Sequence, residues 1–186
     1  MKESFGILPS GEAASLYTIS GGSITAAVTD YGANLVRLFV PDQNGILADV
    51  VLGYDDCNGY RVTNGAALGA TVGRNANRLK DASFELNETT YQIPQNEGTK
   101  NLHSGPDFFF QRMWRVTAHL ENAVTLELNS PDGDQGFPGN AIIRVTYSLD
   151  STGGLHIIYD ALCDQDTVFN MTNHSYFNLA GHEQTE

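Results

Sequence analysis

Residues 114–163, WRVTAHLENAVTLELNSPDGDQGFPGNAIIRVTYSLDSTGGLHIIYDALC, decide the fold. Their apolar side chains recur with period two. Val116, Ala118 and Leu120 share one face, opposite Arg115, Thr117 and His119. Val124, Leu126 and Leu128 alternate with Thr125, Glu127 and Asn129. Ile143, Val145, Tyr147 and Leu149 oppose Arg144, Thr146 and Ser148, and Leu155, Ile157, Tyr159 and Ala161 oppose His156, Ile158 and Asp160. Each run can bury one face against a second layer. The spacers (Glu121-Asn122, residues 130–140, residues 150–154) are rich in Gly, Asn and Asp and too short for helical crossovers, so hairpins and meanders follow.

The same reading extends toward the N-terminus. Ser83–Leu86 and Thr89–Ile93 flank Asn87-Glu88 as a hairpin whose turn lacks the favoured Asn-Gly pair. Leu16–Ile19, Ile24–Asp30, Leu35–Val40 and Ala48–Leu52 are further strands. No segment sustains a helical period with caps, so the pattern predicts an all-β, layered, antiparallel architecture, sandwich and barrel being equivalent at this level. Without repeats, linkers or low-complexity tracts, the 186 residues are expected to form a single domain, 1–186.

Twenty-two acidic against ten basic residues give a net charge of −12. No basic stripe exists to meet a phosphate backbone or an anionic bilayer, so nucleic acid and membrane are excluded as expected partners. The first twenty residues lack the apolar core of a secretory signal, and no stretch is long and apolar enough to span a membrane. Cys57 and Cys163 match no metal or redox spacing. Two free thiols in a cytoplasmic protein are expected.

Polar groups crowd beside aromatics in three segments: Gly73–Arg78, Asn96–Gly105 and Asn170–Asn178. Asn and His gather in strands at a cost unless each polar atom finds a partner. A carbohydrate fits such segments, since its hydroxyls need mixed donors and acceptors and its apolar face can lie on a ring. His103 and His174 have no third ligand at metal spacing, so no metal is expected. Gly73–Arg78 lacks the spacing of a phosphate loop, and residues 130–140 lack the ligand ladder of a calcium loop. Bland readings stand beside these: His174 as a satisfied strand histidine, Arg74 and Arg78 as ion-pair partners, His119 and His156 as surface residues. The two arginines also admit recognition of a phosphosugar.

Six stretches in order, Asp30–Ala33, Asp49–Tyr54, Gly73–Arg78, Asn101–Gly105, Ser130–Gly133 with Gly136–Asn140, and Asn173–Leu179, resemble the aldose 1-epimerase, or galactose mutarotase, family. The resemblance implies a large antiparallel β-sandwich with the sugar in an open groove, no cofactor, and interconversion of the α and β anomers of galactose, glucose or a related aldose. Residue by residue, His174 resembles the catalytic acid, and Asn77, Arg78 and His103 the substrate-binding residues. Ser104 stands where many relatives carry a second Gly, and Phe108-Phe109-Phe110 is distinctive, both expected to alter the groove's rim. Members of the family are nearly twice as long, and their general-base Glu and a sugar-binding Asp come from the second half. Glu183 and Glu186 do not sit in that base motif. The chain is therefore expected to be a truncated, N-terminal portion of the sandwich, with an oligomer or the C-terminal portion of the same protein completing it. The competing reading is a noncatalytic sugar-binding or regulatory module that lacks the base.

Overall fold

The computed structural model describes residues 1–182. Strands β1 (Lys2–Ile7), β2 (Ala13–Gly21), β3 (Ile24–Thr29), β4 (Leu35–Pro41) and β5 (Leu47–Asp49) form an antiparallel sheet in sequence order. After helix α1 (Cys57–Thr63) come β6 (Ala70–Val72), β7 (Arg78–Leu79), β8 (Ser83–Leu86), β9 (Thr89–Gln92) and β10 (Asn101–Leu102). A second meander follows, β11 (Arg115–His119), β12 (Ala123–Ser130), β13 (Ala141–Leu149) and β14 (Leu155–Cys163), and then β15 (Thr172–His174). Three two-stranded ladders, β6–β15, β7–β10 and β8–β9, complete the pairing.

The two large sheets pack face to face, as period-two alternation requires. Ile19, Ala26, Val28 and Leu35 from the first sheet meet Val124, Leu126, Ile143, Val145 and Tyr147 from the second, all essentially buried. Each Val, Leu or Ile side chain among them contributes about 1.5–3 kcal/mol when removed from water. The layered antiparallel all-β class predicted from residues 114–163 is therefore observed, and of the sandwich and the barrel it is the sandwich, as the family resemblance implies.

The first sheet also buries its other face. Phe5, Leu16, Ala27 and Val36 pack there against Cys57 and Tyr60 of α1. This helix is an addition to the predicted strands. Its start is capped by Asp56, whose Oδ1 accepts the Gly59 N–H at 2.9 Å. Seven residues interrupted by Gly59 are too few to print a helical period, which is why only the Asp56 cap and the Cys57/Tyr60 spacing mark it in the sequence.

Two local differences have definite causes. A bulge between Val116 and Ala118 shifts the register of β11 against β12, so Leu120 is exposed and His119 turns inward. His119 is thus not an ordinary surface residue: its ring meets Tyr17 edge-on at 5.2 Å and its Nε2 lies 3.1 Å from the Thr18 carbonyl. Glu127, expected on a solvated face, is 7 % exposed because Arg115 and Arg144, directly opposite on the flanking strands, close over its carboxylate. The expected hairpin at 83–92 is present, and Asn87 and Glu88 both take positive φ, the turn that matches the twist of its strands even without Gly.

Candidate functional site

The three polar segments meet in the fold. β6 lies beside β15, placing Ala70 opposite His174 and Thr71 opposite Asn173. The chain then runs through Gly73–Asn77 into β7, which pairs with β10 and sets Arg78 opposite Leu102. His103 follows at once. Its ring stands edge-on to that of His174, with centroids 5.3 Å apart. Tyr176 adds a third ring, tilted and 5.3 Å from His174. Of the expected site residues, Asn77, Arg78, His103 and His174, all four are brought together.

Local geometry fixes His103 closely. It takes a positive φ of 57°, and its N–H donates to the Asn77 carbonyl at 2.9 Å while its Nδ1 accepts the Asn77 N–H at 3.0 Å. With Nδ1 occupied as an acceptor, the neutral ring carries its proton on Nε2, which becomes a hydrogen-bond donor. Burial, and then the neighbouring His174 and Arg78, push the His103 pKa below its ordinary value. The loop itself is pinned by Asn96, whose side chain bonds both the N–H and the carbonyl of Leu102. Ser104, fully buried, donates to the Asn75 carbonyl at 3.0 Å and accepts the Asn75 N–H at 2.8 Å. It therefore braces the loop from beneath and does not line the rim.

His174 is held from below. Asn173 donates to the Gly69 carbonyl at 3.0 Å and to Tyr147 Oη at 3.2 Å, and its Oδ1 accepts from Ser175 Oγ at 2.6 Å. Tyr147 Oη donates to the Ala33 carbonyl at 2.8 Å and lies 3.0 Å from Thr71 Oγ1. Only glycine serves at position 69, where φ is +65° and a Cβ would fall 2.0 Å from the Leu35 carbonyl oxygen. This buried network escaped the sequence reading because Tyr147 occupies an apolar strand position and shows its polar tip only once folded.

The remaining candidates separate. Arg74 is 1 % exposed and points away from solvent, donating to carbonyls of Ser130, Pro131, Pro138 and Gly139 and to the hydroxyls of Ser130 and Thr167. With its donors committed, the twin-arginine phosphosugar site does not form. Phe109 and Phe110 are buried and Phe108 stacks on Phe110 at 4.6 Å, so this run supports the loop and does not shape a rim. His156 is a surface residue as expected, paired with Asp150 at 2.7 Å. Cys57 and Cys163 are free. Glu183 and Glu186 lie outside the described residues. Among those described, no three potential metal ligands stand together, and no helix is long and apolar enough to cross a membrane. A cleft of about 480 Å³ lies elsewhere, between β4, β5 and residues 180–182.

Two packed antiparallel sheets in this topology place the chain among the galactose mutarotase-like β-sandwiches. The chain superposes on an aldose epimerase homologue from C. elegans with a TM-score of 0.85 at 35 % identity, over 90 % of this chain and 51 % of that one. On galactose 1-epimerase from Lactobacillus acidophilus the TM-score is 0.80 at 27 % identity, over 96 % and 53 %. A family model described as aldose 1-epimerase matches residues 15–186, and the chain belongs to that family. It is 44 % identical to an aldose 1-epimerase of Haemophilus influenzae over 155 residues, 83 % of this chain and 44 % of the relative. It is 38 % identical to the galactose mutarotase of Bos taurus over 178 residues, 95 % and 51 %. The chain thus spans about half the length of the relatives it matches.

Proposed function

We propose that the cluster of Asn77, Arg78, His103 and His174 binds an aldose, galactose or glucose, and that in its catalytically complete form the protein interconverts the α and β anomers. The observation that carries this reading is the edge-on pairing of His103, in the loop after β10, with His174, the last residue of β15, far apart in sequence. Ring opening needs a base for the anomeric hydroxyl proton and an acid for the ring oxygen as C1–O5 breaks. The aldehyde then turns about C1–C2 and recloses with the roles exchanged. An imidazole gives and regains a proton near neutrality, which suits His174 to the acid role. Arg78 stays protonated and can only orient the sugar and stabilise developing oxygen charge. His103, as a neutral Nε2 donor, suits a sugar hydroxyl.

On this reading residues 1–186 form one domain that supplies the N-terminal part of a larger sandwich, in a cytoplasmic setting. The free edge of β14 is where an oligomer or the remainder of a longer chain would seat. One observation favours the second reading, binding without catalysis, for these 186 residues alone: Glu97, the carboxylate that hydrogen-bonds into the cluster, is engaged by Arg78. Polarimetry on freshly dissolved α-D-galactose decides between them. Acceleration over buffer that His174→Ala removes supports mutarotation. Galactose binding without acceleration supports the binding module, and the absence of both binding and acceleration overturns both readings.

A further inference from the structure

Arg78 is gripped side-on. Its Nε donates to Glu97 Oε2 and its Nη2 to Glu97 Oε1, both at 2.5 Å, a fork-to-fork pair. Nη1 reaches Asn77 Oδ1 at 3.4 Å. A guanidinium has five N–H donors, so three are engaged and two stay available, one on each terminal nitrogen. Glu97 is itself well anchored. Its N–H and carbonyl close a tight turn with Lys100 at 3.2 and 3.0 Å, and the adjoining Asn96 side chain clamps Leu102, the residue before His103. One rigid turn therefore carries both the carboxylate that aims Arg78 and the histidine beside it.

We propose that Glu97 is a positioning residue for sugar binding, holding Arg78 side-on so that its two remaining N–H groups serve the hydroxyls of the aldose. The inference rests on the aldose reading and deepens it. A general-base role for Glu97 does not fit the same geometry. Both carboxylate oxygens are occupied by guanidinium N–H groups, and that pairing holds its carboxyl below the usual range, which makes it a weak acceptor for an anomeric proton. Its contribution is preorganisation: without the clasp, a long side chain must be immobilised when the ligand binds.

The test compares the unsubstituted chain with Glu97→Gln, Glu97→Ala and, on the same turn, Lys100→Ala. Two quantities are read: the Nε–H proton resonance of Arg78, identified by its loss in Arg78→Lys, and the dissociation constant for D-galactose. Both Glu97 variants are expected to lose the shifted, slowly exchanging Nε–H signal and to bind galactose about three- to tenfold more weakly, the cost of ordering one side chain. Lys100→Ala should match the unsubstituted chain. Where mutarotase activity is measurable, the loss should fall on KM with kcat nearly unchanged. Unaltered or tighter galactose binding in both Glu97 variants overturns the positioning role while leaving the aldose reading intact. No galactose binding by the unsubstituted chain, with its Nε–H signal present, overturns the aldose reading and the positioning role with it.

Discussion

The imidazole of His103 meets that of His174 edge-on at 5.3 Å while its own Nδ1 accepts the Asn77 N–H at 3.0 Å. Protonating His103 would set two N–H groups against each other in a half-buried loop, beside Arg78. Burial, with His174 and Arg78 behind it, keeps the ring neutral to lower pH than in the unfolded chain. The unfolded state therefore takes up this proton first, so the His103 contribution to stability falls as pH drops below about 6.5 toward the folded pKa. Imidazole NMR should show His103 titrating below the ordinary histidine range, carrying Nε2–H. In His174→Gln its midpoint should rise part of the way back, because burial persists. A midpoint at or above the ordinary range would discard this account.

Ser104 offers a test of the brace beneath the site. Its φ of 56° favours glycine, yet its hydroxyl satisfies both the N–H and the carbonyl of Asn75. Ser104→Ala keeps the backbone strain and leaves a buried N–H unpaired, for a loss of about 2 kcal/mol. Ser104→Gly loses the same bonds but relaxes the backbone, recovering about 1 kcal/mol. Urea unfolding should therefore rank serine above glycine and glycine above alanine. Alanine equal to or better than glycine would contradict the assigned geometry.

Arg74 is a structural residue by the same evidence. Replacing it with Met strips donors from four carbonyls and two hydroxyls in a buried setting, with an expected loss of about 3 kcal/mol or more. Amide hydrogen exchange should show residues 130–140 opening first. A loss under about 1 kcal/mol would mean that this loop holds its shape without the guanidinium.

These cases show which parts of the molecule were legible before folding. The antiparallel strands with one buried face were, because Val124, Leu126, Ile143 and Val145 declare that face by alternation alone, and alternation is local; the choice of sandwich over barrel was not, because it depends on how distant sheets meet. His103 and His174 were, because their segments are too polar to be explained by packing. What stayed hidden depends on distant partners. Arg74 and Arg78 stand four residues apart in one short segment, yet one is buried among carbonyls and the other is half-exposed against Glu97. No spacing rule separates them. His119 was misplaced because a one-residue bulge reverses a strand's faces, and nothing around Thr117 announces it.

Alkaline pH should unfold the protein cooperatively. Burial raises the phenol pKa of Tyr31, Tyr60, Tyr147 and Tyr159, with Tyr147 pushed up to about 12. Above about pH 10 the unfolded chain releases protons that the native state retains, so stability falls as pH rises. Phenolate absorbance from these residues should appear together with unfolding. Tyr147→Phe should cost only about 1 kcal/mol at neutral pH, since Thr71 still donates to the Ala33 carbonyl and Gly69 still accepts from Asn173, and it should flatten the alkaline decline. All phenols ionising smoothly in the folded state would refute this.

The open edge of β14 leads to the last expectation. The other sheet edges are guarded: β1 and β11 by bulges, β5 by its length of three residues. β14 runs for nine residues, pairs only with β13 among the described residues, and carries no Lys, Arg or Pro. Ile142 and Leu162 lie opposite each other on the outer face, 41 % and 62 % exposed, and Ile158, 58 % exposed, lies on the same face beyond the Arg144–Asp160 pair. An unguarded edge with an apolar flank favours pairing with a second copy, while a net charge of −12 on each copy opposes it. Repulsion of this kind is screened by salt, the Debye length falling to about 3 Å at about 1 M. Sedimentation velocity should therefore show self-association that strengthens with both protein concentration and salt. Ile158→Lys, which adds a charge to the outer face without touching the core, should suppress it. A chain that sediments as a monomer at every concentration and salt would show that the edge is protected by means other than those seen in its sequence and its strands.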